Sequence, residues 1–557
     1  MAFNPSSTIY LCNVDIDNTY SNQIYFEDIY TQAEYFIKRK VYTCSDYLTV
    51  RKTKTDGSII SSVKVNKNID ALYDCNYMMY QNANHGTKWF YAFIVDFIYI
   101  NEGTTEIIFE TDVYQTWLKE AVLLDSFVER EHSATDEIGD NLVAESFVVN
   151  DFNYQPIAEE KTDFGQWGYL IACTEAVYYG SVQSPKPNKH SGIYQGLYFY
   201  FFKSFLDIND FIERLDDKGK ESILSITAIP EFSVSHAKLE WTKETYVEGE
   251  GVKFVDYDDI GIVRGTDYPN EKSIVINAKN VTSMDGYKNI KNNKLWTYPF
   301  FSLEITNNSG DIREYNVEDF VNRANIRFCL YGDISVAPSL MIVPQNYKGI
   351  SEESDVDFLY GIASDFGLSI GGFPQCAFIN DYYKLWSAKN IGSQHINVLS
   401  GLSSAAFGTA LALTGHPIAG GGAIVGGVTS IMSTINKSYM ANVEADKATV
   451  GQPKNNLLTA MGRNKFNMRF KTLKYNQAKT LDNYFTMYGY QTNALKIPNI
   501  SSRPYFNYVK TIDVNIAGRL PDKDMKILKS MYNNGVTFWK PTATVGDYSV
   551  DNRPVKG

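Results

Sequence analysis

No two cysteines of this chain stand close together. Cys12, Cys44, Cys75, Cys173, Cys329 and Cys376 are scattered through 557 residues, which excludes a CxxC redox site and a zinc ribbon and suits buried, reduced thiols. The histidines His85, His132, His190, His236, His395 and His416 are equally dispersed, so no local spacing supports a metal centre; neither a metal nor a cofactor is expected. Basic residues are in the minority, 52 Lys and Arg against 64 Asp and Glu, for a net charge of −12. A protein that grips nucleic acid through its phosphates needs clustered Lys and Arg. That function is disfavoured, whereas a surface past which nucleic acid slides without sticking is compatible. Met1-Ala2-Phe3-Asn4-Pro5 lacks a basic region followed by an apolar core, so no secretory signal is expected and synthesis as a soluble cytoplasmic protein is.

Catalytic signatures are missing as well. The glycine run Gly420-Gly421-Gly422-Ala423-Ile424-Val425-Gly426-Gly427 has no following Lys-Ser/Thr and does not fit GxGxxG, which removes a phosphate-binding loop. Glu129-Arg130-Glu131-His132 is not the zincin HExxH and is expected to be a solvated or ion-paired turn. No particular Asp/Glu pair is marked out as the acid and base of a glycosidase. No catalytic residue, and no enzyme, is expected.

Charge itself is absent from Asn390 to Asn436, between Lys389 and Lys437, in a chain where 21% of residues are charged. Two apolar arms, Ile396 to Thr414 and Ile418 to Ile435, flank Gly415-His416-Pro417. As α-helices of 18 or 19 residues they would be about 27 to 29 Å long, close to the roughly 30 Å of a bilayer's hydrocarbon core. Pro417 falls where a second helix would begin, a position that tolerates a missing N–H. Small residues recur every fourth position, Ser400, Ser404, Gly408 and Ala412 on the first arm and Gly422, Gly426, Ser430 and Thr434 on the second. Such rows let helix backbones approach closely. Leu399, Leu402, Phe407, Leu411, Leu413, Ile424, Val428 and Ile431 are left to meet lipid or protein. A buried helical pair and a flexible glycine-rich loop are the alternatives. The glycine content argues against a permanent anchor, since each glycine weakens a helix by about 1 kcal/mol relative to Ala; a segment stored in one state and inserted in another fits better.

Elsewhere the chain is rich in Tyr, Phe and Trp, 14% in all, which suits half-buried strands. Strands are expected at Ile9-Tyr10-Leu11, from Phe36 to Thr43, from Tyr47 to Val50, from Ile59 to Val65, from Phe90 to Ile100 and from Thr105 to Phe109. Further strands are expected around Tyr169-Leu170-Ile171-Ala172, from Tyr198 to Phe202, through Ser233 to Val336, from Phe466 to Thr492 and from Tyr505 to Ile516. Helical spacing marks Asp112 to Leu124, Ile208 to Lys218, Glu221 to Leu224, Glu318 to Ala324, Ser438 to Asn456, and a helix beginning at Leu520-Pro521-Asp522 with Asp at the cap. Ser181 to Ser191 is expected as a loop. The predicted class is mainly β (α+β) and multi-domain, with the charge-free segment inserted as a helical hairpin between β-rich stretches.

Several motifs, each weak alone, occur in an order that resembles the distal tail tube, or tail knob, proteins of small short-tailed bacteriophages of Gram-positive hosts. They begin with Val14-Asp15-Ile16-Asp17-Asn18, Lys88-Trp89-Phe90-Tyr91-Ala92-Phe93 and Phe109 to Trp117. Ser126-Phe127-Val128-Glu129-Arg130-Glu131-His132 follows, and the resemblance makes this a structural feature. Beyond it come Pro344-Gln345-Asn346-Tyr347, Phe373-Pro374-Gln375-Cys376, Asp482-Asn483-Tyr484-Phe485, Asn507 to Thr511, Asn534 to Trp539 and Val545-Gly546-Asp547-Tyr548. The resemblance implies a β-rich subunit of a homo-hexameric tube at the distal end of the virion tail. Residues 1–140 would be its tube domain, 141–340 its middle domains, 341–389 a return segment, 390–436 the membrane-active loop and 437–557 a β-rich segment packing back on the tube. It implies as partners the proximal tube or collar and tip proteins, the host cytoplasmic membrane, and phage DNA passing through the lumen without tight binding. The alternatives are a receptor- or cell-wall-carbohydrate-binding tail protein and a cell-wall hydrolase.

Overall fold

A computed structural model of the chain describes residues 7–45, 51–55, 58–82, 86–158, 162–176, 189–190, 193–194, 196–204, 207–208, 211–212, 215, 219, 222–234, 239–247, 251–263, 270–307, 310–349, 366–370, 373, 375–377, 465–540 and 545–554. The expected strand from Tyr47 to Val50, most of the expected Ser181–Ser191 loop and Ile208–Lys218 helix, and the expected helix from Ser438 to Asn456 lie outside these residues. Two compact units are formed. Unit 1 comprises Met1–Asp151, Gly286–Trp296 and Lys474–Gly557, and unit 2 comprises Phe152–Asp285 and Thr297–Leu473.

Unit 1 holds a seven-stranded antiparallel sheet in the order Lys40–Cys44, Ser7–Cys12, Tyr77–Asn82, Phe90–Asn101, Thr104–Thr111, Ser58–Val65, Arg51–Thr55. Its two outermost strands are consecutive in the chain, separated only by residues 45–50. Laid flat, seven strands about 4.8 Å apart would set the outer pair about 29 Å from each other. The seven residue steps from Cys44 to Arg51 reach about 25 Å at most, so the sheet curls. Consistent with this, Leu11, Cys44, Val63, Met78, Ala92 and Phe109, one from each of six strands, belong to a single buried cluster.

A second sheet of unit 1 has the order Asn22–Ile24, Val536–Trp539, Phe506–Asp513, Ser126–Glu131, Tyr490–Lys496. Its first pair is parallel, joining a strand near the N-terminus to one near the C-terminus, and Trp539 Nε1 donates to Asn22 Oδ1 at 2.9 Å.

The helices depart most from expectation. Helix α1, Ile29–Lys38, takes the first part of the expected Phe36–Thr43 strand. Asp28 accepts the N–H groups of Tyr30 and Thr31, and Gln32, Tyr35 and Phe36 face inward, so cap and periodicity outweigh the aromatic β-propensity. Helix α2, Val113–Trp117, covers only the start of the expected Asp112–Leu124 helix, because Val122–Leu123 pairs with Ile516–Ala517. Helix α3, Tyr475–Tyr488, replaces an expected strand; Ala478, Asp482, Phe485 and Thr486 form its buried face. Helix α4, Asp522–Asn534, buries Leu528, Met531 and Tyr532, with Pro521 rather than Asp522 at the cap.

Unit 2 contains a six-stranded antiparallel sheet, Leu239–Val247, Gly251–Val263, Tyr198–Phe202, Trp167–Cys173, Ile223–Pro230, Gln375–Ala377. A four-stranded sheet runs Phe152–Pro156, Asn467–Leu473, Phe301–Thr306, Ile312–Asn316 and another runs Asn270–Ile276, Ile326–Gly332, Leu340–Gln345, Leu368–Ile370. The expected Glu221–Leu224 helix gives way to the Ile223–Pro230 strand, and the expected Glu318–Ala324 helix shrinks to a 3-10 turn at Val317–Asp319. The mainly β class is as expected, and Cys12, Cys44, Cys75, Cys173 and Cys329 are free and buried.

Candidate functional site

The expected membrane-active residues Leu399, Leu402, Phe407, Gly408, Leu411, Leu413, Gly415, His416, Pro417, Gly422, Ile424, Gly426, Val428 and Ile431 lie outside the described residues. Among the described residues no helix is long and apolar enough to cross a membrane. What is described is the frame on either side. Gln375–Ala377 is the outermost strand of the six-stranded sheet, and Asn467–Leu473 is an inner strand of a four-stranded sheet, held by Phe152–Pro156 and Phe301–Thr306.

The Glu-Arg-Glu-His group is not a solvated turn. Ser126–Glu131 is an inner strand between Tyr490–Lys496 and Phe506–Asp513, and Arg130, Glu131 and His132 are buried. Arg130 donates through Nη1 to the Gly489 carbonyl at 2.8 Å and through Nη2 to Glu145. Glu145 also receives Lys294 Nζ and the Gln491 N–H at 3.2 Å, while Lys294 donates to the Val143 carbonyl at 2.8 Å. One carboxylate thus bridges two cations, with their side chains 7%, 2% and 3% exposed for Arg130, Glu145 and Lys294. Tyr484 and Tyr490 present ring faces to Arg130 and Lys294 at 5.0 and 5.4 Å, sharing the excess positive charge. Burial pulls the Lys294 ammonium below its ordinary pKa, and Glu145 pulls the other way. Losing one partner of such a cluster would leave an uncompensated buried charge.

His132 uses both ring nitrogens. Nδ1 accepts the Tyr508 N–H at 2.7 Å, so the proton sits on Nε2, which donates to the Thr486 carbonyl at 3.0 Å. Burial, with the nearby Arg503 guanidinium, pushes its pKa down to about 3, so the ring is neutral near neutrality. Asp136 accepts the Tyr490 hydroxyl at 2.6 Å and the Asn293 N–H at 3.2 Å; burial raises its pKa to about 6 against those hydrogen bonds. Asp482, on α3, accepts the Tyr287 hydroxyl at 2.7 Å, the Lys291 N–H at 3.1 Å, and the Asn292 N–H and side-chain amide at 3.0 and 2.8 Å. Gly489 ends α3 at φ 64°; a Cβ there would stand 2.1 Å from the Glu131 carbonyl oxygen.

These groups brace Gly286–Trp296 against α3 and the Ser126–His132 segment, all within unit 1. They do not form a reaction centre. The Asp136 and Asp482 carboxylates are occupied by protein donors, and neither nitrogen of His132 is left to take a substrate proton. Among the described residues no group of three or more His, Cys, Asp or Glu could hold a metal ion. The sequence singled out residues 129–132, and Asp482 as part of the Asp482-Asn483-Tyr484-Phe485 motif, but not Glu145 and Lys294, which complete the charge cluster around Arg130. Only Asp482 left a local signal, as an acid on the face shared by Ala478 and Phe485.

Comparison with known proteins gives a consistent assignment. Residues 267–553 match the family model described as Bacillus phage phi29, tail knob protein gp9, C-terminal domain. Residues 5–122 match the caudoviral major tail protein N-terminus. Curated relatives include the tail knob proteins gp9 of Bacillus phages PZA, phi29 and B103, each 24% identical over 97% of this chain and 97% of the relative. Among solved structures, the tail knob protein gp12 of bacteriophage C1 is similar with a TM-score of 0.62 at 15% identity, covering 97% of this chain and 98% of that one.

Proposed function

The chain belongs to the tail knob protein family of phage phi29 gp9, and from that premise we propose that it forms the distal tail tip as a homo-hexameric tube. In this reading the tube adjoins proximal tube or collar and tip proteins, and residues 390–436 close its distal end. During infection that segment leaves the lumen and inserts into the host cytoplasmic membrane, opening a passage for the genome. The role is structural and not enzymatic.

The observation that carries this reading is the charge-free run from Asn390 to Asn436 in a chain of this family. Two arms of bilayer length joined at Gly415-His416-Pro417 can satisfy their backbone hydrogen bonds internally while crossing lipid. Both flanking strands belong to unit 2, and in this reading the segment between them is an insertion dispensable for folding. The net charge of −12 supports a wall past which DNA moves without phosphate contacts.

The test replaces residues 390–436 by a short Gly/Ser linker. The protein should remain folded and assembled and should no longer make liposomes leak. A finer variant, Gly422→Leu with Gly426→Leu, keeps the segment apolar but blocks close helix approach; lipid binding should survive while leakage falls. Undiminished leakage from the linker protein would place the membrane activity elsewhere, and loss of folding would make the segment part of the core. Peptidoglycan release without leakage would favour a cell-wall hydrolase instead.

A further inference from the structure

The Phe90–Asn101 strand outruns its neighbour. Its pairing with Tyr77–Asn82 covers only Phe90 to Phe93, and the Ile94 N–H still reaches the Asn76 carbonyl at 3.0 Å. From Val95 onward, among the described residues, it is paired on one side alone, by Thr104–Thr111. The register slips twice in this outer half, between Ile94 and Asp96 and between Tyr99 and Asn101, so Val95 and Ile100 are the extra residues of two β-bulges. Bulges re-aim side chains, and here both turn apolar groups to solvent. Val95 is 51%, Ile98 41%, Tyr99 55% and Ile100 41% exposed. A strand covering a core on one face would alternate; here only Phe97, half-buried against the core, turns inward, and the rest of the arm is exposed.

A second apolar edge lies in the same unit. Tyr490–Lys496 is the outermost strand of the five-stranded sheet. Leu495 is 73% and Ile497 60% exposed. Leu495 stands opposite Phe127, itself 38% exposed, and Ile512, 60% exposed, precedes Asp513, the partner of Phe127 on the other side.

We propose that the Val95–Gly103 arm of one copy docks on the Tyr490–Ile497 edge of a second copy. This rests on the ring reading above and supplies its contact. The occupant follows from charge and pattern. The Val95–Gly103 arm carries Asp96 and Glu102 and no Lys or Arg, so two arms repel each other. On the edge, Lys496 stands between Leu495 and Ile497, 41% exposed and ion-paired with Glu131. Acids flanking an apolar run thus face apolar residues flanking a cation. Each open edge also presents backbone donors and acceptors for strand addition. The two surfaces are different, so the contact is heterologous, the kind that propagates around a ring when the rotation closes.

The experiment uses the full chain and reads subunit number by light scattering and mass photometry. An arm variant, Val95→Asp with Ile100→Asp, and an edge variant, Leu495→Asp with Ile497→Asp, should each remain monomeric where wild type assembles. Their near-ultraviolet circular dichroism should be unchanged. Mixed together, they should stop at one-to-one pairs, because one intact arm and one intact edge remain. Should a variant misfold, Ile100→Cys with Leu495→Cys in one chain should give a ladder of bismaleimide-linked multimers that neither single substitution gives. Variants that assemble like wild type, or a missing ladder from an assembled protein, overturn the contact and leave the ring standing. A wild type that stays monomeric in solution and on liposomes overturns both. Leakage lost with the 390–436 replacement tests the membrane role independently of either.

Discussion

Acidification should draw stability from unit 1 at one buried ring, against the pull of two buried carboxylates. His132 has a folded pKa of about 3 against an ordinary 6.5, so its contribution to stability is complete above pH 6.5. It is lost as the pH falls from there toward 3, since the unfolded chain takes the proton first. At 1.36 kcal/mol per pH unit, the loss is about 2 kcal/mol between pH 7 and pH 5, and about 5 kcal/mol by pH 3. Two carboxylates oppose it. Asp136, raised to about 6, and Asp112, raised to about 7 by burial while it accepts from Tyr77 and caps α2, lend stability below the ordinary carboxylate range that fades as the pH rises through 6 and 7. From pH 7 to pH 5 they return roughly 3 to 4 kcal/mol together on the same conversion. The wild-type profile is therefore nearly flat or rising, and only a difference isolates the ring. His132→Gln should cost about 1 to 3 kcal/mol at pH 7 by unmaking buried hydrogen bonds. That gap should shrink by about 2 kcal/mol at pH 5, because the glutamine does not titrate. The assay equilibrates full-length protein in urea at each pH, pulse-labels by hydrogen exchange at one common pH, and follows peptides covering Ser126–Glu131 and Phe506–Asp513. A gap unchanged between pH 7 and pH 5 would refute the assignment of His132 as a neutral, doubly bonded ring.

Asp482→Ala strips the acceptor from Tyr287, Lys291 and Asn292 and should destabilise unit 1 by about 3 to 5 kcal/mol, with Gly286–Trp296 the first segment to gain exchange or protease sensitivity. Gly489→Ala places a Cβ 2.1 Å from the Glu131 carbonyl oxygen at a positive φ, and should cost at least about 2 kcal/mol, read as a lowered denaturation midpoint. Purified assembled protein should bind duplex DNA weakly and without a steep salt dependence; tight, salt-sensitive binding would contradict a neutral or acidic wall.

The strands were legible where β-branched and aromatic runs met turn chemistry. Phe90 to Ile100 and Thr105 to Phe109 flank Asn101-Glu102-Gly103, and the hairpin forms there. Helices α1 and α3 were hidden because their faces are built from Tyr and Phe, residues whose local preference is for strands. Only Asp28 at the cap and the spacing of Ala478, Asp482 and Phe485 betray them. Glu129-Arg130-Glu131-His132 resembled a surface turn since charge in sequence signals water. What makes it a buried strand end is Glu145 and Lys294, the latter contributed from far along the chain, and no local pattern encodes such a meeting. The charge-free segment was plain in composition alone, and the described structure contributes the strands that precede and follow it in the chain.

The curled sheet of unit 1 behaves as a hoop with a short strap. Because residues 45–50 are too few to span the sheet laid flat, the hoop cannot be unrolled while both outer strands stay paired. Opening it means peeling Lys40–Cys44 from Ser7–Cys12 or Arg51–Thr55 from Ser58–Val65. A push from within is therefore met as tension along the strap and shear along two ladders, not as gradual flattening. Lengthening the strap by a dozen flexible residues would uncouple those events, and the sheet would yield before it unfolds.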